Sequence, residues 1–254
     1  MKIDILASGS KANCTLLRQN DNIILIDAGL NYRHLKNILD NKELNINNIK
    51  GILITHCHHD HILGLSGLLK RINTKVYVPL NMVKEINKYV AKDNIEIVKE
   101  EFKLANFNIK LLYTSHDVEC SVGYIISYLN KEMVYITDTG YINKKILAEL
   151  DNKDIYIVES NHDEEILIKG SYPLILKQRI ISDIGHLSNN MIAKYMQKKV
   201  GSKTKYVILT HLSEKNNTEE LAYNTMKKSL DKVKFNSENI IIAKQNEPLE
   251  TIEV

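Results

Sequence analysis

One stretch of eleven residues restricts this chain more than any bulk property does. Gly51-Ile52-Leu53-Ile54-Thr55-His56-Cys57-His58-His59-Asp60-His61 runs from an apolar strand straight into four imidazoles and a carboxylate. A loop that is merely rich in histidine gains nothing from a strand placed immediately before it, whereas a metal site does. Alternate residues of an extended segment share a face, so His56 and His58 can present two imidazoles to one ion. Asp60 and His61 follow where the chain is expected to turn into a helix over 62–69, and can serve a second ion nearby. Cys57 and His59 fall on the alternate positions and read as packing or supporting residues. Imidazole and carboxylate without thiolate suit zinc, iron or manganese rather than a structural cysteine site.

A catalytic site needs further ligands from distant segments. His116 ends the run Leu111-Leu112-Tyr113-Thr114-Ser115, Asp138 ends Val134-Tyr135-Ile136-Thr137, and His211 ends Tyr206-Val207-Ile208-Leu209-Thr210. A single histidine after a strand is more often structural. Three separate strands that each deliver a metal-competent side chain at the same end point to a site on a sheet rim.

Periodicity predicts strands at Ile3–Leu6, Cys14–Arg18, Ile23–Asp27, Gly51–Thr55, Lys75–Val78, Ile109–Thr114, Gly123–Tyr128, Met133–Thr137, Ile155–Glu159, Tyr206–Thr210 and Ile240–Ala243. Helices are predicted at Tyr32–Asp40, Ile62–Ile72, Leu80–Val90, Asn143–Glu149, Pro173–Arg179, Asn189–Lys199 and Thr218–Val233. The opening strands follow one another as hairpins and the later ones are separated by helices, which suggests packed sheets covered by helices. No linker, low-complexity tract or repeat of fixed period interrupts the chain, so residues 1–254 are expected to form one domain.

With 254 residues, 44% of them apolar, the chain can bury a large core, and its formal charge of +3 by itself points to no polyanionic partner. Cys14, Cys57 and Cys120 are odd in number, widely spaced and form no C-x-x-C pair, the pattern of a reducing compartment. No apolar run approaches the roughly 20 residues that span a bilayer. The opening Met1–Leu6 lacks a signal peptide's apolar stretch, so a cytoplasmic protein without membrane contact is expected.

Taken in order, these motifs resemble the metallo-β-lactamase superfamily over essentially the whole chain: Asp27 in Leu25-Ile26-Asp27-Ala28-Gly29, the H-x-H-x-D-H cluster, His116, Asp138 and His211. The resemblance implies an α/β (α+β) fold, a four-layer αββα sandwich of two mixed β-sheets flanked by helices. It also implies two divalent metal ions, zinc foremost with manganese or iron as alternatives, and no organic cofactor. His56, His58 and His116 would hold one ion and Asp60, His61 and His211 the other. Asp138 would bridge them, and Asp27 would orient the cluster from behind the ligands.

Finer features narrow the branch. His61 stands where true β-lactamases usually lack histidine, and Asp138 occupies the position of their cysteine ligand, which speaks against antibiotic cleavage. Gly185-His186-Leu187-Ser188 and Glu159-Ser160-Asn161 resemble two loops of the nuclease branch that includes tRNase Z and RNase J. There the histidine assists at the scissile phosphate and the glutamate steadies it. The opening Ala7-Ser8-Gly9-Ser10-Lys11-Ala12-Asn13-Cys14 and the Glu159–Asp163 segment are most similar to the YycJ (WalJ) group, members of which are regarded as DNA exonucleases. Only 72 residues (139 to 210) separate Asp138 from His211, so the β-CASP insertion of RNase J is absent. No long insertion matches the tRNA-gripping arm of tRNase Z.

The expected activity is therefore hydrolysis of a phosphodiester, with nucleic acid as the partner and DNA ahead of RNA. A cation pair would lower the pKa of a shared water from 15.7 toward about 7. Asp60 would take the water's proton, and His186, held by Glu159, would steady the phosphate or protonate the departing oxygen. A helix-capping loop is the alternative role for His186, because Ser188-Asn189-Asn190 opens a helix; His162 is a further supporting candidate. A glyoxalase-II-like thioesterase or a lactonase would use the same seven ligands, and the Gly185-His186-Leu187-Ser188 loop is what separates these readings. An idle nucleic-acid or protein-binding scaffold would be expected to have lost ligands. Lys194, Lys198, Lys199, Lys203 and Lys205 lie in a stretch without acidic residues, either a contact for a nucleic-acid backbone or a solvated helix face. Nothing in the sequence indicates an oligomeric state.

Overall fold

Antiparallel strands need only a tight turn between them, whereas parallel strands need a crossover. In the computed structural model, which describes residues 1–245 and 247–254, that distinction orders both sheets. β1 (Lys2–Ala7), β2 (Cys14–Gln19) and β3 (Asn22–Ile26) form an antiparallel meander. β4 (Ile49–Leu53), β5 (Val76–Pro79) and β6 (Ile95–Val98) then add in parallel. Their crossovers carry α1 (Tyr32–Asn41), then α2 (His59–Ile62) and α3 (Leu65–Leu69), then α4 (Val83–Ile86).

The second sheet repeats the scheme. β7 (Glu101–Leu104), β8 (Phe107–Tyr113), β9 (Val122–Tyr128) and β10 (Lys131–Ile136) are antiparallel. β11 (Ile155–Glu159), β12 (Tyr206–Thr210) and β13 (Ile240–Ile242) follow in parallel. α5 (Lys144–Glu149) precedes β11. α6 (Glu164–Lys169), α7 (Leu174–Ile181) and α8 (Asn189–Lys199) fill the crossover to β12, and α9 (Glu219–Leu230) the next. β14 (Ile252–Glu253) returns to the outer edge of β1. Each half thus runs from antiparallel strands into a parallel set, a repeat of topology that no sequence period announces.

The apolar runs of the second sheet are buried on both faces, as parallel strands require. Met133, Tyr135, Ile155 and Ile157 point into the core shared with the first sheet. Their neighbours Val134, Ile136, Tyr156 and Val158 pack beneath Ile146, Ile192, Met196 and Met226 of the covering helices. On the other side Leu35, Leu39, Leu65 and Leu68 cover the first sheet. The layers are helix, sheet, sheet, helix, as the resemblance implied.

Several local expectations are corrected. The helix predicted over 62–72 is two short pieces on either side of Leu63–Gly64, and the first begins at His59, so Asp60 and His61 sit inside a helical turn. Over 80–90 only Val83–Ile86 is α-helical, after a turn of 3₁₀ helix. β6 and β7 are short, and half of their side chains face solvent, leaving no sustained apolar run to read. α6 is too short for helical periodicity, although Asp163 caps it by accepting from the backbone N–H groups of Glu165 and Ile166.

Candidate metal centre

Strands of both sheets end at one rim, the usual place for ligands in open α/β sheets. Asp27 follows β3, His56 and His58 follow β4, His116 follows β8, Asp138 follows β10, Glu159 ends β11, and His211 follows β12. Asp27, Asp138 and His211 take left-handed backbone angles, with φ of 59°, 50° and 55°. That conformation costs each roughly 1–3 kcal/mol and turns the side chain sharply off the strand. It is held in place locally: the Asp27 N–H donates to Leu53 O at 2.9 Å and the His211 N–H to Ser8 Oγ at 2.9 Å.

The seven residues singled out as ligands converge. Nδ1 of His58 lies 3.1 Å from His56 Nε2 and 3.2 Å from His116 Nε2. Beside this trio, Asp60 Oδ2 stands 3.4 Å from His61 Nε2 and 3.9 Å from His211 Nε2. Asp138 lies between the sets, its Oδ2 3.3 Å from His61 Nε2 and its Oδ1 3.3 Å from His211 Nδ1. The His56–His58–His116, His56–His61–Asp138 and Asp60–His61–His211 groups could each hold a metal ion, their ligand atoms lying within 4.8 Å of one another.

The opposite ring nitrogens test whether cations fit. His61 Nδ1 donates to Asp27 Oδ2 at 2.8 Å, His116 Nδ1 to Gly185 O at 3.1 Å, and His211 Nδ1 to Glu159 Oε1 at 2.9 Å. His56 Nδ1 meets the Thr55 hydroxyl at 3.1 Å, and that hydroxyl donates to Asp27. Each such bond leaves the lone pair of Nε2 aimed into the cluster, the arrangement metal-ligating histidines adopt. Nε2 of His211 and Oδ2 of Asp138 are buried without a hydrogen-bond partner among the described residues. Burial of that kind is expensive unless something cationic completes the shell. The residues fit divalent ions.

Electrostatics agree. Burial alone would depress His61, yet Asp27 and Asp138 hold it well above the ordinary histidine value. His211 is likewise lifted to about 10, because Asp138, Asp60 and Glu159 outweigh its burial. Asp138 stays far below the usual carboxylate range against its own burial, drawn down by His211 and His61. Protons on these rings balance negative charge that divalent cations would balance instead.

The accessory residues divide. His186 Nδ1 lies 2.7 Å from Glu159 Oε1, the pairing expected from sequence. The same Glu159 oxygen also takes His211 Nδ1, while Oε2 accepts the N–H groups of Thr139 and Leu187, so this carboxylate braces a ligand as well. Ser188 caps α8, accepting from Met191 N–H at 3.2 Å, so the loop has the capping role weighed for it and also presents His186 to Glu159. His162 is buried and offers its carbonyl to the Asn189 N–H; it does not line the cavity over the cluster. Cys57 is buried and His59 exposed. The lysine stripe lies away from that cavity, and Lys199 pairs with Asp151 at 2.7 Å.

Sequence reasoning missed several residues. Asn13 Nδ2 donates to Asp60 Oδ2 at 3.0 Å and lies 2.9 Å from His61 Nε2, and its backbone N–H donates to Asp60 O at 2.8 Å. Asn161 Nδ2 donates to His211 O at 3.0 Å. Both sit in segments that carried the resemblance, which was the available signal. Gly29 is required by closeness: a Cβ there would stand 1.9 Å from Asp60 O. Asp117 and Arg179 had no signal. Asp117 Oδ1 lies 3.3 Å from His116 Nε2, and its Oδ2 is gripped by the Arg179 guanidinium. The cavity above the cluster, about 220 Å³, is walled on one side by Tyr172, Leu176, Arg179 and Ile180.

A family model described as the beta-lactamase superfamily domain matches residues 22–212. An exodeoxyribonuclease WalJ of Streptococcus pneumoniae is 38% identical over 232 residues, 89% of this chain and 86% of that one. An exodeoxyribonuclease YycJ of Bacillus anthracis is 32% identical over 240 residues, covering 92% and 91%. In three dimensions the metallo-β-lactamase fold protein YhfI of Bacillus subtilis superposes with a TM-score of 0.72 over 98% of both chains. At 17% identity that likeness concerns the fold alone.

Proposed function

Since the chain belongs to the beta-lactamase superfamily, we propose that it is a metal-dependent nuclease that hydrolyses DNA phosphodiesters from a chain end. The observation that carries this reading is the convergence of His56, His58, His116, Asp60, His61, His211 and Asp138 in a chain whose relatives across nine-tenths of its length are named exodeoxyribonucleases. Both sheets feed one cluster, and we take residues 1–254 as a single domain without a β-CASP insertion. The three cysteines are free, which supports a reducing, cytoplasmic setting.

His56, His58 and His116 would hold one divalent ion and Asp60, His61 and His211 another, with Asp138 shared and Asp27 fixing His61 through its Nδ1 proton. Bound there, two such ions, zinc foremost and manganese or iron next, supply Lewis acidity toward water and the phosphate oxygens. Asp60, its Oδ2 held by Asn13, accepts the proton of the attacking water. As the phosphorus–oxygen bond breaks, His186 gives a proton to the departing oxygen. Glu159 orients that imidazole and favours its protonated form: burial would lower its pKa, but the carboxylate raises it above the ordinary value.

Labelled single- and double-stranded DNA, RNA, a thioester and a lactone offered to metal-loaded protein test the assignment, because the same ligands can serve all of these chemistries. DNA hydrolysis is expected, and hydrolysis of the thioester or lactone alone contradicts it. His56→Ala and Asp60→Ala should abolish turnover. His186→Ala should slow cleavage by roughly 10²–10⁴-fold at unchanged metal content; loss of metal instead would remove His186 from the proton-donating role.

A further inference from the structure

Only one lysine or arginine lines the cavity over the metal cluster among the described residues, and it is Arg179. It stands on α7, a helix with no fully buried residue, whose cavity side carries Leu176 and Ile180 and is approached by Tyr172. Leu176 and Arg179–Ile180 are spaced by one helical turn, so they share a face, and Tyr172, just before the helix, lines the same cavity. The guanidinium is half exposed and rests on Asp117, whose other oxygen faces His116 and His58 at 3.3 and 3.6 Å. The Tyr172 ring is open enough that Lys215 Nζ lies 5.6 Å from its centroid.

We propose that this face of α7, together with Tyr172 just before it, is the wall that grips the DNA strand: Arg179 takes a backbone phosphate beside the scissile bond, and Tyr172 stacks on the adjoining base. The inference rests on the nuclease reading and deepens it. Arg179 holds Asp117 through Oδ2 alone and a phosphate offers the same guanidinium fork two oxygens, so Arg179 exchanges Asp117 for the substrate without losing its hydrogen bonds. Its charge also screens Asp117, which would otherwise repel an entering phosphate. An aromatic ring next to a cation is the usual pairing in single-strand grooves, since every base has a face to stack.

The test measures binding of a phosphorothioate-linked single-stranded DNA decamer by metal-loaded full-length protein over a range of salt, alongside KM and kcat on ordinary DNA. Arg179→Ala should flatten the plot of log affinity against log salt by about 0.7, the change expected when one phosphate is no longer neutralised. It should raise KM far more than it lowers kcat, and Arg179→Lys should restore most of the slope. Tyr172→Ala should weaken binding roughly 5- to 100-fold with the slope unchanged, and Tyr172→Phe should restore it. Metal content should stay at the wild-type level throughout. Either alanine variant binding as the wild type does overturns the proposal, as does loss of metal in Arg179→Ala, which would reduce the arginine to a brace for Asp117. Failure of the wild type itself to bind or cut DNA would instead defeat the nuclease reading.

Discussion

His61 gives its Nδ1 proton to Asp27 and keeps Nε2 for the cluster, and the Thr55 hydroxyl ties the same carboxylate to His56. Asp27 is wholly buried, and burial raises its carboxyl above the ordinary value although His61 and Thr55 pull it down. Asp27→Asn is expected to weaken metal binding by about 10- to 100-fold, measured by competition with a chromophoric chelator, because an amide can no longer fix the ring's tautomer. Unchanged affinity would separate Asp27 from the site. A similar loss is expected for Gly185→Ala. A Cβ at that position meets Ile180 O at 2.1 Å, and moving Gly185 shifts both the carbonyl that orients His116 and the adjacent His186. Among single residues, the spacing of the histidines was informative because metal ligation requires particular side chains at strand ends. Asn13, Asp117 and Arg179 left no such pattern, since an amide or an ion pair is common anywhere on a surface.

Elements were legible where a strand is buried on both faces or a helix is long enough to show its stripe. β11 and α8 fall within a residue of expectation for that reason. The segment after His58 was not: apolar residues over 62–72 fit a continuous helix, yet Gly64 packs its N–H onto Ala28 O and the chain breaks there. The opening strands are bound to the rest by charge. Asp4 on β1 is fully buried and accepts from Arg18 of β2 at 2.6 Å and from Lys42 beyond α1 at 2.9 Å, with Thr251 before β14 completing the set. Burial would raise its pKa, but these donors hold it below the ordinary value. The stabilisation is therefore complete above the unfolded carboxyl value of about 3.9 and is lost as pH falls through the lower native one. Asp4→Ala should cost about 3 kcal/mol in denaturant unfolding at pH 7. The gap from wild type should narrow as pH falls below that unfolded value and close once Asp4 is protonated in the native state; a gap independent of pH would show that the ion pairs contribute nothing.

For the whole molecule, two sheets that each run from antiparallel to parallel pairing bring their carboxyl strand ends to one rim, and the cluster draws ligands from both. Ions held across that seam stabilise the fold by mass action, about 4 kcal/mol at a thousand times the dissociation constant. Chelation is accordingly expected to lower the thermal midpoint, and readdition of metal to restore it. Alternating apolar runs suggested sheets covered by helices and family likeness implied the four layers, whereas the repeated topology was invisible because pairing direction, not residue identity, is what repeats. Function in this molecule turns on whether the converging imidazoles and carboxylates hold ions that cut DNA. The decisive experiment titrates chelated protein with a divalent metal while bound ion and hydrolysis of a single-stranded DNA are followed together. No cleavage is expected without metal, and activity should saturate as bound ions reach two per chain. Cleavage by the metal-free protein, or none with zinc, manganese or iron at full occupancy, would contradict it.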